Sequence, residues 1–186
     1  MKRIFDILLC FITFSILIMP MICIAFMIKV VSKGPVIYWS SRVGKDNKLF
    51  NMPKFRTMNV DTPQVATHLM KNPDEFFSPI GRFLRQTSLD ELPQLFSILM
   101  GDMSFVGPRP ALFNQKDLIV LRNKNGLSDI LPGLTGWAQV NGRDDLSIIE
   151  KVSFEVEYMK KKSFWFDLKI LWMTFLSVIN KKGVSH

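Results

Sequence analysis

The chain has 186 residues, enough for one domain, and at 48% hydrophobic with a mean hydropathy of +0.18 it is too apolar for all of its surface to face water. A net charge of +8 and a pI near 9.6 suit an acidic partner, whether nucleic acid, anionic lipid or a phosphorylated substrate. Cys10 and Cys23 both lie in the apolar N-terminal run and His68 and His186 are the only histidines, which excludes a disulfide framework and argues against His triads and zinc sites.

Residues 7–28 carry no charge, and as a straight helix they would reach about 33 Å, enough to cross a bilayer core. Pro20, near the middle, removes the hydrogen bond to the Ile16 carbonyl and kinks the helix. Lys2 and Arg3 precede the run and Lys29 and Lys33 follow it, so the positive-inside rule gives no direction of crossing. A helix that enters, bends and returns is favoured over one that spans. The run is long for a cleaved signal peptide and no A-x-A-like site follows it.

Residues 36–41 and 49–55 read as strands of a hairpin around Lys45-Asp46-Asn47-Lys48. The second arm runs into Lys54-Phe55-Arg56-Thr57-Met58. Lys54 and Arg56, two apart on a strand, point to one side, either toward one anion or as a solvated basic edge. Residues 61–79 are polar with Pro63, Pro73 and Pro79, and are expected to form a short helix between loops that covers the site.

The stretch GRFLRQTSLDELPQLFSILMGDMSFVGPRP, residues 81–110, is where charge, proline and glycine concentrate. Ser88-x-x-Glu91 has the form of a capping box and Pro93 suits a first helical turn, which puts Asp90 and Glu91 at a helix N-terminus. A carboxylate there serves as a cap, a metal ligand or a nucleophile. Arg85 and Arg109 flank the pair in sequence and could clamp a diphosphate, and Gly107-Pro108-Arg109-Pro110 is a stiff turn that holds Arg109. Gly101-Asp102 closes the intervening helix.

Residues 112–124 predict an amphipathic helix, followed by the loop Pro132-Gly133-Leu134-Thr135-Gly136, which lets backbone approach a ligand or simply turns. Ile148, Val152, Val156 and Met159 recur at helical spacing behind Asp144 and Asp145 as caps, up to Lys160-Lys161-Lys162. Residues 164–179 are almost wholly apolar, with Asp167, Thr174 and Ser177 as a narrow polar stripe. At about 24 Å this segment is short for a span, and Trp165, Trp172 and the flanking lysines suit a helix lying in the membrane interface.

The runs LRQTSLDELPQL, GDMSFVGPRP, PGLTGWAQVNGR and KFRTM together resemble the bacterial sugar transferases, the monotopic phosphoglycosyl transferases that act on polyprenyl phosphate. The resemblance covers nearly the whole chain. It implies a mainly α fold with a small β-hairpin: a membrane-associated, monotopic α+β catalytic domain over residues 34–186, including an interfacial helix at about 164–180. Residues 1–33 would form an N-terminal re-entrant, Pro-kinked membrane helix. Family members break that helix at Ser-Pro, where this chain has Met19-Pro20; Glu155 stands where aspartate is usual and Ser97 where asparagine is common.

The implied reaction moves a sugar 1-phosphate from a UDP-sugar, by analogy an N-acetylated amino sugar, to undecaprenyl or another polyprenyl phosphate, with release of UMP. Asp90 would form a covalent aspartyl-phosphosugar. Glu91 would join it in holding Mg²⁺, and Lys54, Arg56, Arg85, Arg109 and Arg143 would bind substrate. The expected place is the cytoplasmic face of a bacterial inner membrane, at the first membrane step of envelope glycan or glycoprotein assembly. Few aromatics interleave with the basic residues, so nucleic acid is not expected as a partner. A membrane-anchored basic interaction or scaffold protein without catalysis is the alternative, and the oligomeric state stays open between monomer and homo-oligomer.

Overall fold

Residues 2–60, 62, 73–142 and 145–179 are described by the computed structural model. The apolar N-terminal run forms one helix, α1 (Lys2–Val31), with Pro20 inside it. It is the one helix among the described residues long and apolar enough to cross a membrane. Thr13 and Ser15 do not serve the Ile16 carbonyl that Pro20 deprives of its donor; their hydroxyls bond back to Leu9 and Phe11, at 2.7 and 2.9 Å.

Both ends of α1 are fastened to the rest of the protein, while Phe11, Ile12, Ile16, Met19 and Ile22 between them are exposed. The N-terminal end meets α3 (Leu95–Met100) and β3 (Ser104–Val106). There Arg3 donates to the Ile98 carbonyl and, at 2.6 Å, to that of Leu99, which caps the open end of α3. Asp6 accepts the Phe105 amide at 3.2 Å, and Cys10 is fully buried. At the other end Ile24 and Ile28 pack with Phe55 and with Leu84 of α2 (Gly81–Gln86).

The expected hairpin is present as β1 (Ile37–Val43) and β2 (Leu49–Phe55), antiparallel, with Tyr38 opposite Lys54. Asp46 and Asn47 turn the chain at φ of 56° and 58°, a region short polar residues tolerate. A third strand, β4 (Ala111–Leu112), adds to β1, in the order β2-β1-β4. Sequence pattern placed residue 112 at the start of a helix. Instead the Leu112 amide is held by the Gln115 side chain at 2.9 Å, and α4 begins later, at Lys116–Lys124.

β3 pairs in parallel with β5 (Gly133–Thr135), a strand inside the stretch whose proline and glycines predict a loop. Glycine is needed there because two backbones touch: a Cβ on Gly133 would stand 2.1 Å from the Gly107 nitrogen, and one on Gly136 2.1 Å from the Gly107 oxygen.

After α5 (Trp137–Val140) comes α6 (Ile148–Lys161), which starts with a true capping box: Ser147 accepts the Glu150 amide at 3.3 Å and Glu150 accepts the Ser147 amide at 2.9 Å. Ser147, and not Asp145, is therefore the cap; Asp144 lies outside the described residues. The stripe α6 buries runs through Val152, Glu155 and Tyr158, and Ile148 is exposed. In α7 (Phe164–Ile179) the polar stripe faces inward. Asp167 is buried against Lys2 and accepts the Tyr158 hydroxyl at 2.8 Å, and Thr174 bonds Thr135 at 2.7 Å. Trp165, Trp172 and Phe175 lie on the exposed side. Most of the lid expected at 61–79 falls outside the described residues; its end is a 3₁₀ turn, Pro73–Phe76.

Candidate active site

The carboxylate pair sits on a 3₁₀ turn, Leu89–Gln94, wedged between α2 and α3. Ser88 enters this turn in the left-handed region at φ 56° and its side chain caps nothing. The expected Ser88–Glu91 capping box is not formed: the Glu91 amide bonds the Ser88 carbonyl at 3.2 Å, and the Glu91 carboxylate is engaged elsewhere.

Its Oε1 accepts Arg109 Nη2 at 2.7 Å and Lys54 Nζ at 2.8 Å; Oε2 has only a long 3.5 Å contact from Arg109 Nη1. Burial alone would raise the Glu91 pKa, but Arg109 and Lys54 outweigh it and hold the carboxyl well below the usual range. Asp90 is its opposite. It is 6% exposed, Lys54 Nζ is 3.9 Å from its Oδ2, and among the described residues no hydrogen bond reaches its carboxylate. Burial pushes its pKa up, with Lys54 opposing and Glu91 adding to the rise. Lys54 is itself pulled down by burial and supported by the two acids.

Arg85 is placed by the end of the KFRTM segment. Its Nε donates to Thr57 Oγ1 at 3.2 Å, and its guanidinium lies 5.1 Å from the centre of the Phe77 ring. Asp90 is the strongest charge favouring it. Arg109 is placed by its turn. The prolines at 108 and 110 lack amide hydrogens, and three successive carbonyls are each held by a different element: Pro108 by the Gly133 amide at 2.8 Å, Arg109 by Arg122 at 2.9 Å, and Pro110 by Arg42 at 3.1 Å.

Residues 1–181 match the family model described as bacterial sugar transferase. The chain belongs to this family. Among curated relatives, it is 40% identical over 190 residues to the UDP-glucose:undecaprenyl-phosphate glucose-1-phosphate transferase of Escherichia coli (strain K12), covering 97% of this chain and 41% of the relative. It is 36% identical over 201 residues to the undecaprenyl-phosphate galactose phosphotransferase of Salmonella typhimurium, covering 98% of this chain and 41% of that protein. An uncharacterized sugar transferase of Bacillus subtilis, EpsL, is 39% identical over 154 residues, 82% of this chain and 74% of the relative. The chain thus spans about two fifths of the length of the first two relatives.

Within this bacterial sugar transferase, the structure brings Lys54, Arg85, Asp90, Glu91 and Arg109 together, as the sequence suggested. It does not bring Arg56 to them. Arg56 lies just past the end of β2, where strand alternation no longer governs direction, and donates to Ser32 Oγ at 2.6 Å and the Ser32 carbonyl at 3.2 Å, capping the end of α1. Gly34 makes room for it: a Cβ there would be 2.2 Å from Arg56 Nη1. Arg143 lies outside the described residues.

Arg42 and Arg122 escaped the sequence reading, and Glu155, noted there as standing where aspartate is usual, received no role in the site. Arg42, on β1, donates from Nε to buried Ser40 at 3.0 Å as well as to Pro110; burial and the nearby Arg109 lower its pKa to about 10. Arg122 pairs with Glu155, which is 2% exposed. One signal was available. Glu155 falls on the buried stripe of α6 between Val152 and Tyr158, and an acid on a core stripe calls for a cationic partner.

Proposed function

We propose that the chain transfers a sugar 1-phosphate from a UDP-sugar to a polyprenyl phosphate, such as undecaprenyl phosphate, and releases UMP. The observation that carries this is the inequality of two adjacent buried carboxylates. Glu91 is paired through Oε1 with Lys54 and Arg109, whereas Asp90 has no hydrogen bond among the described residues and is pushed toward protonation. A carboxylate stripped of donors is primed to attack. A scaffold protein gains nothing from burying one.

In this reading one Oδ of Asp90 attacks the phosphorus that carries the sugar. The bond from that phosphorus to the bridging oxygen breaks, and UMP leaves with the oxygen and its electron pair. An oxygen of the polyprenyl phosphate then attacks the same phosphorus, freeing Asp90 as a carboxylate and leaving the sugar on a polyprenyl diphosphate. Lys54, Arg85 and Arg109 offset the repulsion between the anionic nucleophile and the diphosphate. Glu91 keeps Lys54 and Arg109 facing the site.

Two kinds of carboxylate oxygen remain open to a metal: those of Asp90, and Glu91 Oε2 with its single 3.5 Å contact. Among the described residues no third metal-ligating side chain joins them. That set fits Mg²⁺, which takes one or two carboxylates and completes its shell with phosphate oxygens and water. Bound there, it would neutralise charge on the diphosphate.

The attachment of both ends of α1 to one body supports a re-entrant helix bent at Pro20 over a span. The inward polar stripe of α7, with Trp165 and Trp172 outside, supports an interfacial helix. Together they would hold the site in one leaflet, on the cytoplasmic face of a bacterial inner membrane, at the entry to envelope glycan assembly. The relatives' names specify glucose and galactose, whereas analogy within the family suggests an N-acetylated amino sugar.

The test is UMP release by the detergent-purified full chain with Mg²⁺ and undecaprenyl phosphate. The donors are UDP-glucose, UDP-galactose and UDP-N-acetylamino sugars, with Asp90→Asn as control. Release that needs the lipid and Asp90 supports the reading and names the sugar. Near-normal release by Asp90→Asn removes Asp90 as nucleophile. No release from any donor, with no phosphosugar on Asp90 by intact mass, rejects the transferase.

A further inference from the structure

Arg122 donates from Nη2 to the backbone carbonyl of Arg109 at 2.9 Å, and from Nε to Glu155 Oε2 at 2.8 Å. Its second contact with Glu155, through Nη2 and Oε1, makes the pair bidentate. One planar guanidinium therefore links a buried acid on α6 to the backbone of the residue whose own guanidinium grips Glu91. The two neighbouring carbonyls of the turn are held by the Gly133 amide and by Arg42, and the carbonyl of Arg109 itself is held by Arg122. The ion pair is also costly as a stability device alone, since a buried pair replaced by apolar residues of similar size is often as stable.

We propose that Arg122, locked by Glu155, is a positioning residue that sets Arg109 against Glu91. Lysine does not substitute. A point ammonium lacks the planar fork that serves Glu155 and the Arg109 carbonyl together. The proposal rests on the transferase reading for its effect on turnover, but not for its effect on the placing of Arg109.

The experiment uses the full chain in detergent with Arg122→Lys, with the paired apolar replacement Arg122→Met/Glu155→Leu, which leaves no unpaired buried charge, and with Arg109→Ala. The first readout is the placing of the Arg109 side chain, followed by its guanidinium ¹⁵Nε–¹H resonance, which is assigned by its loss in Arg109→Ala. Both Arg122 variants are expected to shift or broaden that resonance. This readout needs neither sugar donor nor lipid, so it stands even if no UMP is released. The second is a double-mutant cycle on UMP release. Each Arg122 variant should lower kcat/KM on the order of 10²-fold, as for a misplaced catalytic group, and less than about twofold further in the Arg109→Ala background.

The proposal is overturned if a folded Arg122 variant leaves the Arg109 resonance as it is in the wild type, or if its loss of turnover persists undiminished once Arg109 is gone. If the apolar pair fails to fold, the role of Arg122–Glu155 is structural beyond Arg109 and the proposal again falls, unless Arg122→Lys folds and shifts the Arg109 resonance.

Discussion

Asp90 and Glu91 are neighbours in sequence and differ in everything that fixes a carboxylate's charge: Lys54 Nζ stands 2.8 Å from Glu91 Oε1 and 3.9 Å from Asp90 Oδ2. Arg109 adds a second strong donor to Glu91 alone. Separate environments assign them separate roles, one anchored and one available.

Removing each charge should therefore shift stability in opposite directions. Glu91→Gln leaves Lys54 and Arg109 buried with reduced compensation and is expected to cost about 3 kcal/mol. Asp90→Asn removes an ion that burial disfavours and should leave the thermal midpoint unchanged or higher, while lowering turnover by more than about 10³-fold. Thermal unfolding of the two variants in detergent at pH 7 checks this. A lower midpoint for Asp90→Asn than for Glu91→Gln would contradict the assignment.

The pH dependence follows from the same shifts. The folded pKa of Asp90 is raised, so as pH falls the nucleophile is lost above the ordinary aspartate value of about 3.9. That of Glu91 is depressed; its stabilising contribution is present above the unfolded value, about 4.3, and is lost only as pH falls through the lower folded one. Acidification should thus abolish kcat/KM before the protein unfolds. A pH–rate profile beside acid unfolding tests the order.

Lys54 is the cation nearest Asp90. Lys54→Met should raise the Asp90 pKa further and carry the acid limb of kcat/KM to higher pH, as well as lowering turnover. An acid limb that stays in place would show that Lys54 does not set the nucleophile's charge.

If α1 re-enters, its ends share one side of the membrane. Ile4 and Val30 are 65% and 66% exposed, near the two ends. Single cysteines placed at either position in a Cys23→Ala background should react with a membrane-impermeant maleimide from the same side of oriented vesicles. Labelling from opposite sides would establish a span.

Much of this was legible in the chain itself. The hairpin, the apolar N-terminal helix and the amphipathic pattern of α6 and α7 follow from local periodicity, which repeats within a few residues. Asp90, Glu91, Arg85 and Arg109 stood out because charge, proline and glycine cluster where an apolar chain has no packing use for them, and Lys54 by its strand spacing with Arg56 and the KFRTM run. What misled was local chemistry in a non-local setting. Ser88-x-x-Glu91 has the letters of a capping box, but two cations from β2 and the 107–110 turn claim the carboxylate; Ser147-x-x-Glu150, with no such competitor, forms the box. Lys54 and Arg56 share a strand parity that ends with the strand, at Phe55.

By itself, then, the sequence determined the family, the class of elements and the set of candidate charges, since composition and spacing are properties of the chain. Tertiary structure decided which charges meet. The parallel pairing of β3 with β5, the docking of α4 on α6 that joins Arg122 to Glu155, and the turn of Arg56 toward Ser32 are contacts between segments 24 to 33 residues apart. Such contacts are selected by packing and by the need to neutralise buried charge. No local pattern encodes them, nor the reach of Lys54 and Arg109 across 37 and 18 residues to Glu91, which makes Asp90 and Glu91, adjacent and alike, chemically unequal.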